Sequence, residues 1–145
     1  MKRKIQIING PNLNMLGSRE PEKYGYSDFD SFLERLKGIY PDYEFLFFQS
    51  NIEGEIVDVI QTGGSRADAI IINPAGYSHT SVAIADAIAM ARIPVIEVHI
   101  TNLLSREEFR HQSLTGRYCR GSVMGFGLDG YRLAVEAVKT ILQDK

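Results

Sequence analysis

The sequence predicts an α/β three-layer sandwich, in which a five-stranded parallel sheet is covered on both faces by helices. Two observations predict it. Short runs of continuously apolar, β-branched residues recur along the chain, and between them lie longer stretches whose apolar residues return every three or four positions. A strand that is apolar without alternation is buried on both faces, and adjacent parallel strands need a crossover, which a helix supplies. With 145 residues, 44% of them apolar, the chain has material for one core, so residues 1–145 are expected to form a single domain. A flavodoxin-like arrangement suits five strands that alternate with helices.

The first strand is read at Lys4 to Ile8, which runs into the turn formers Asn9-Gly10-Pro11-Asn12. After a polar stretch from Ser18 to Tyr26, Ser27 followed by Asp30 reads as a helix start. Phe29, Phe32, Leu33, Leu36 and Tyr40 then recur at helical spacing. Glu44 to Gln49 reads as a strand, Ile52 to Gln61 as a helix, Ala69 to Ile72 as a strand and Thr80 to Ala91 as a helix. Pro94 to His99 and Ser122 to Phe126 read as the last two strands, and Tyr131 to Leu142 as a closing amphipathic helix.

Composition narrows the function. A formal charge of -2 supplies no basic field for nucleic acid. Apolar runs such as Ala69 to Ile72 are far shorter than the ~20 residues of a membrane span. The single cysteine, Cys119, has no partner for an internal disulfide, which suits a reducing, cytoplasmic setting. Neither GxGxxG nor GxxxxGKS follows the first strand, which disfavours a nucleotide-phosphate cradle. A flavin-binding module would need aromatic residues to sandwich its ring and a Ser/Thr-rich loop where Pro11 and asparagines stand. A phospho-acceptor domain would need acids where Asn9 and Asn73 stand.

In a sheet of this kind ligands bind beyond the carboxyl ends of the strands, where the strand order reverses. The loops there are Asn9 to Asn14, Asn73 to Ser81 and Glu97 to Asn102, which bring two histidines, a glutamate and several asparagines to one rim. Glu97 and His99 are two apart on a strand and so share a face. An acid beside a histidine on a buried strand is costly unless the two engage each other or a ligand. Thr80 or Ser81 is expected to cap a helix whose free amides favour an anion. Arg106 and Arg110, four apart, are expected on one face of a helix. No metal is expected: there is no HExxH, His79 and His99 come from different loops, and His111 follows Arg110 on an outer helix.

Several of these segments together resemble the type II 3-dehydroquinate dehydratases. The matching motifs are Asn9-Gly10-Pro11-Asn12-Leu13-Asn14-Met15-Leu16-Gly17, Arg19-Glu20-Pro21 with Tyr24-Gly25, and Asn73-Pro74-Ala75-Gly76-Tyr77-Ser78-His79-Thr80-Ser81. They continue with Ile96-Glu97-Val98-His99-Ile100-Thr101-Asn102 and Arg106-Glu107-Glu108-Phe109-Arg110-His111-Gln112-Ser113. The resemblance implies a flavodoxin-like fold, a homododecamer built as a tetramer of trimers, and no cofactor. It also implies dehydration of 3-dehydroquinate to 3-dehydroshikimate, in the shikimate pathway, by anti elimination through an enolate.

The resemblance implies Tyr24 as the base, acting as a tyrosinate. A phenol of reference pKa about 10 needs a cation nearby to serve at neutral pH, and the family places Arg19 there. It further implies that His99 protonates the leaving hydroxyl, that Glu97 fixes the imidazole tautomer, and that Asn12 positions a water or the enolate oxygen. Asn73 and the backbone amides of Ile100 and Thr101 would hold the substrate carboxylate, and His79 and Arg110 the ring hydroxyls. Asp86 would reach a neighbouring subunit's site, with Arg106 supporting the same region. The alternative imine route needs a buried lysine at a strand end. Lys2 and Lys4 sit at the wrong end of the first strand, and only Lys23 could approach substrate. Leu114 to Arg120 is a loop divergent from the family, in which Arg117 and Arg120 receive no role and Cys119 is expected to be inert and partly buried.

Overall fold

A computed structural model describes residues 2–16 and 28–143. Five strands, β1 (Arg3–Asn9), β2 (Tyr43–Gln49), β3 (Ala69–Asn73), β4 (Val95–His99) and β5 (Gly121–Met124), pair in parallel in the order β2-β1-β3-β4-β5. Four α-helices, α1 (Phe29–Ile39), α2 (Glu53–Arg66), α3 (Val82–Met90) and α4 (Asp129–Gln143), join them. The architecture is the three-layer α/β sandwich expected from the strand pattern.

The two faces follow from the alternation of side chains along each strand. Ile5, Ile7, Ile71 and Val98 point to one face, where α1 contributes Phe29, Phe32, Leu33 and Leu36, and α4 contributes Tyr131, Ala134, Val135 and Val138. Ile8, Ile70, Ile72 and Val95 point to the other, under Ile56 and Ile60 of α2 and Ile84 and Ile88 of α3. Each fully buried isoleucine contributes roughly 1.5–3 kcal/mol of transfer free energy, so the central strands anchor the sheet from both sides. Among the described residues no helix is long and apolar enough to cross a membrane.

Several boundaries differ from the sequence expectation. Helix α1 is capped by Asp28, whose carboxylate accepts from the backbone N–H of Ser31 at 2.8 Å; Ser27 lies outside the described residues. Helix α2 continues past Gln61 to Arg66, and within that extension Gly63 packs against the Ile70 side chain, where a Cβ would lie 3.1 Å from Cδ1. Strand β5 begins one residue earlier and ends two residues sooner than expected.

The largest difference follows β4. Arg106 and Arg110 do not lie on an α-helix; Arg106 follows one short 3-10 turn, Leu103–Ser105, and Arg110 ends a second, Glu108–Arg110. The Asn102 side chain accepts from Leu104 N–H, and Arg106 and Glu107 then adopt extended backbone with ψ of -167° and 148°, which breaks any continuous helical ladder.

The strand order places a topological switch between β1 and β3, since the chain leaves β1 toward β2 and returns to pair on its other side. At that switch the loops come very close. Gly10 N–H donates to Asn73 O at 2.8 Å, and a Cβ on Gly10 would stand 2.6 Å from Pro74 O, so only glycine permits the approach.

Candidate active site

A cleft opens at the carboxyl ends of β1, β3 and β4. Its walls are the loop after β1 (Pro11, Asn12, Leu13), the loop after β3 (Asn73, Ala75, Gly76, His79) and the segment after β4 (His99, Ile100, Thr101, Leu103, Arg106, Arg110).

Asn12 occupies the left-handed region with φ 71°, a conformation that asparagine tolerates better than most residues. Its backbone N–H donates to the Asn51 side chain at 2.9 Å. Asn51 also receives Gln49 Nε2 at 3.2 Å, and its carbonyl accepts from the Tyr77 hydroxyl at 2.8 Å. The segment after β2 thus braces the loops after both β1 and β3.

Asn73 is buried at the end of β3 with both ends of its carboxamide engaged. Oδ1 accepts from Ala75 N–H at 3.0 Å, and Nδ2 donates to the Tyr131 hydroxyl at 3.1 Å. Tyr131 in turn donates to Asn9 Oδ1 at 2.7 Å. Burial pushes the Tyr131 phenol well above its ordinary pKa, so it stays a neutral donor and acceptor. Asn9 Nδ2 is buried without a hydrogen-bond partner among the described residues.

Glu97 and His99 project from one face of β4, with His99 Nε2 donating to Glu97 Oε2 at 2.8 Å. Glu97 is fully buried. Desolvation alone would raise its pKa, but the hydrogen bond and charge of His99, with hydroxyls from Thr115 and Ser113, outweigh it and hold the carboxyl below its usual range. Nε2 is committed to Glu97, so Nδ1 is the ring nitrogen available to the cleft. The His79 ring stacks on His99 with centroids 6.4 Å apart, while its own Nδ1 is 2.9 Å from the Gln112 carbonyl and its Nε2 is 3.3 Å from Ser78 Oγ.

Two cations close the far wall. Arg110 Nε lies 3.3 Å from the Glu107 carboxylate and Arg106 Nε 3.6 Å from the same oxygen, while Arg106 Nη1 donates to Thr101 Oγ1 at 3.4 Å. Both side chains are largely sheltered and line the cleft. The Glu107 carboxyl is held below its ordinary range, first by its own backbone N–H and then, against desolvation, by the hydrogen bond and charge of Arg110 and the charge of Arg106.

Among the sequence-identified residues, the structure brings Asn12, Asn73, His79, His99, Ile100, Thr101 and Arg110 around one cleft, with Glu97 directly behind His99. Asp86 is not among them. It is exposed on α3 and faces a separate groove with Val82, Ala85, Gln112 and Arg117. Arg19 and Tyr24 lie outside the described residues, as does Lys23. Ser81 caps α3, as the sequence suggested, by accepting from Ile84 N–H, and its hydroxyl donates to Glu53 at 2.5 Å. Among the described residues, no three His, Cys, Asp or Glu side chains come together as a metal-binding set.

Sequence reasoning missed Ser113, Thr115 and Gly116, which surround the Glu97 carboxylate, and Tyr131, which joins Asn9 to Asn73. The only sequence signal for the first group is its small, hydroxyl-rich composition directly after the arginine segment. The neighbouring Cys119 thiol is pushed far above its ordinary pKa, first by burial and then by the Glu97 charge, and its Sγ sits 3.5 Å from the Thr115 carbonyl. It is no nucleophile at neutral pH.

Comparison with known proteins adds three findings. The model of the family described as dehydroquinase class II matches residues 3–139. A curated 3-dehydroquinate dehydratase of Helicobacter pylori is 52% identical over 146 aligned positions, which cover 97% of this chain and 87% of the relative; one from a Sulfurovum species is 50% identical over 143. A crystal structure of a type II dehydroquinase from Butyrivibrio crossotus superimposes with a TM-score of 0.92 at 43% identity, covering 95% of this chain and 98% of that one.

Proposed function

Because this chain belongs to the class II dehydroquinase family, we propose that its cleft removes water from 3-dehydroquinate to give 3-dehydroshikimate, the dehydration step of the shikimate pathway. It is an enzyme, a hydro-lyase. The observation that carries the reading is the buried Glu97–His99 pair, whose free ring nitrogen opens on a cleft lined by neutral amides and the Arg110 cation. That lining suits a small hydroxylated anion, and an imidazole can serve as a general acid.

The reaction is read as an anti elimination through an enolate. A base removes the proton alpha to the ketone, and the electron pair moves to the carbonyl oxygen. When the carbonyl re-forms, the β C–O bond breaks, and the hydroxyl departs as water with a proton from His99 Nδ1. His99 is then reprotonated from solvent and the base gives up its proton. Glu97 stabilises the imidazolium, and the carboxamide of Asn12 donates to the developing enolate oxygen or to a water beside it. Among the described residues no carboxylate lines the cleft. The base is assigned through the family resemblance to Tyr24, as a tyrosinate kept ionised by Arg19.

For binding, the substrate carboxylate is assigned to Asn73 and the amides of Ile100 and Thr101, and its ring hydroxyls to His79 and Arg110. The free hydrogen of Asn73 Nδ2 supports this, since the other is used by Tyr131. The chain is read as one catalytic domain working in the cytoplasm as a homododecamer, with Asp86 completing a neighbour's site. Exposed apolar side chains at Val82, Met90, Leu104 and Phe109 support association between copies. Sedimentation equilibrium tests the assembly, and a monomer at working concentration would remove it.

The activity is tested by following enone absorbance when purified, chelator-treated protein meets 3-dehydroquinate, in parallel with a sample reduced by borohydride in the presence of substrate. Turnover that survives both treatments is expected. Absence of turnover would remove the reading, and loss only after borohydride would put an imine on Lys23 in place of the enolate route.

A further inference from the structure

The carboxylate of Glu97 lies in a cradle made by four consecutive residues of a different segment, Ser113 to Gly116. Ser113 Oγ donates to Oε2 at 2.7 Å, beside the His99 Nε2–H that reaches the same oxygen at 2.8 Å. Thr115, itself fully buried, donates its hydroxyl to Oε1. Ser113 Oγ is held by the backbone N–H of Gly116 at 2.9 Å, which fills its acceptor position and leaves its hydrogen for Glu97. Gly116 has no room for a side chain, because a Cβ would stand 2.9 Å from Glu97 Oε2 and 3.1 Å from Ser113 Oγ. The same segment also anchors the second histidine: Gln112 O is 2.9 Å from His79 Nδ1, and Leu114 N–H donates to Ser78 O at 2.7 Å.

We propose that Ser113, Thr115 and Gly116 are positioning residues for the acid of the reaction: their cradle fixes which ring nitrogen of His99 carries the transferable proton. The inference rests on His99 acting as that acid. A carboxylate with no access to water survives as an anion only if donors replace its hydration shell. Here there are three side-chain donors on two oxygens. Only one of them is the imidazole, so the hydroxyls decide how strongly Glu97 competes for the imidazole proton. With both in place, Glu97 is satisfied as an anion and accepts the Nε2 proton without taking it, so the second proton of the imidazolium belongs to Nδ1, which faces the cleft. Without Thr115, Oε1 is left bare in a dry site, Glu97 becomes the more basic partner, and the Nε2 proton moves toward it. His99 is then left as a neutral ring with its one proton on Nδ1, a far weaker acid than the imidazolium that an anionic Glu97 sustains. Hydrogen bonds of this kind polarise one another in a low-dielectric site, so a remote hydroxyl is felt at Nδ1.

Neither Ser113 nor Thr115 lines the substrate cleft, so their loss should act on kcat and leave KM nearly unchanged. Thr115→Val, which keeps shape and removes the hydroxyl, is expected to lower kcat roughly 10- to 100-fold, and Thr115→Ser to restore most of it. The direct readout is long-range nitrogen NMR of the His99 ring. Wild-type protein should show the proton on Nε2, and Thr115→Val a shift of population away from it. Ser113→Ala, which removes a donor from the other oxygen, provides a second case should Thr115→Val not fold. Wild-type kcat together with wild-type ring signals in either folded variant overturns the proposal, as does a Thr115→Ser as impaired as Thr115→Val. An inactive wild type would instead count against the dehydratase reading, and the ring signals would still test the cradle.

Discussion

Tyr131, in the first turn of the last helix, donates its hydroxyl to Asn9 at the end of the first strand, at 2.7 Å. It accepts from Asn73 at the end of the third. One buried phenol thereby ties together the carboxyl ends of the two strands that flank the topological switch. Tyr131→Phe keeps the ring but leaves the Asn9 carboxamide with no side-chain partner and Asn73 held only through Ala75 N–H. We expect a loss of about 1–3 kcal/mol in stability and a rise in KM larger than any fall in kcat. Thermal unfolding and steady-state kinetics check both, and unchanged KM would detach Tyr131 from substrate binding.

Glu97→Gln should be nearly as damaging as His99→Ala. A carboxamide would aim an N–H at one of three groups that are themselves donors, so the ring is released as well as deprived of its counter-charge. Turnover is expected to fall by about 10²–10⁴ in each, with the double variant little worse than either single one. Additive losses would mean that the two do not act as a unit.

Tyr24→Phe and Arg19→Ala are expected to abolish turnover while part of the substrate affinity remains, as measured by calorimetric titration. Near-normal activity in either would exclude a tyrosinate base.

Gly10→Ala would drive a methyl to within 2.6 Å of the Pro74 carbonyl. The loops after β1 and β3 must then separate, with a destabilisation of about 1–3 kcal/mol and displacement of both Asn12 and Asn73. Denaturant unfolding measures the first and KM the second. A variant of native stability would show that the contact yields without strain.

Alkaline stability should fall between about pH 10 and pH 12. Burial first, and then the hydrogen bond to the Glu136 carboxylate at 2.5 Å, push the Tyr40 phenol up to about 12. In the unfolded chain it titrates near 10. Within that window the unfolded state loses a proton that the folded state keeps, so the stabilising contribution is complete below the window and is lost through it. Tyr40→Phe should flatten this part of the stability curve, and an unaltered slope would assign the loss to other groups, Tyr131 first among them.

The strands were legible because burial on both faces demands unbroken runs such as Ala69 to Ile72, which no exposed segment would carry. The Glu97–His99 pair was legible for a similar reason, since a period of two puts both on one face whatever the rest of the chain does. The Arg106/Arg110 spacing misled because i,i+4 suits a helix, whereas Asn102 closes a tight turn and Glu107 collects both arginines from extended backbone. Ser113, Thr115 and Tyr131 gave little sign of their roles. Their partners lie 16, 18 and 122 residues away, and a hydroxyl's partner is set by tertiary packing, which local periodicity does not encode.

The position of β1 has a consequence for how the molecule is made. This strand, which precedes both of its partners in the chain, lies inside the sheet, with Arg3 opposite Tyr43 on one side and Ile5 opposite Ala69 on the other. On the ribosome it therefore emerges as a bare apolar ribbon, with neither neighbour yet translated. Its edges remain open to stray pairing until the third strand has left the exit tunnel. Productive collapse is a late, non-local event, and the cleft, whose walls come from β1, β3 and β4, cannot exist on any nascent fragment that stops before residue 99.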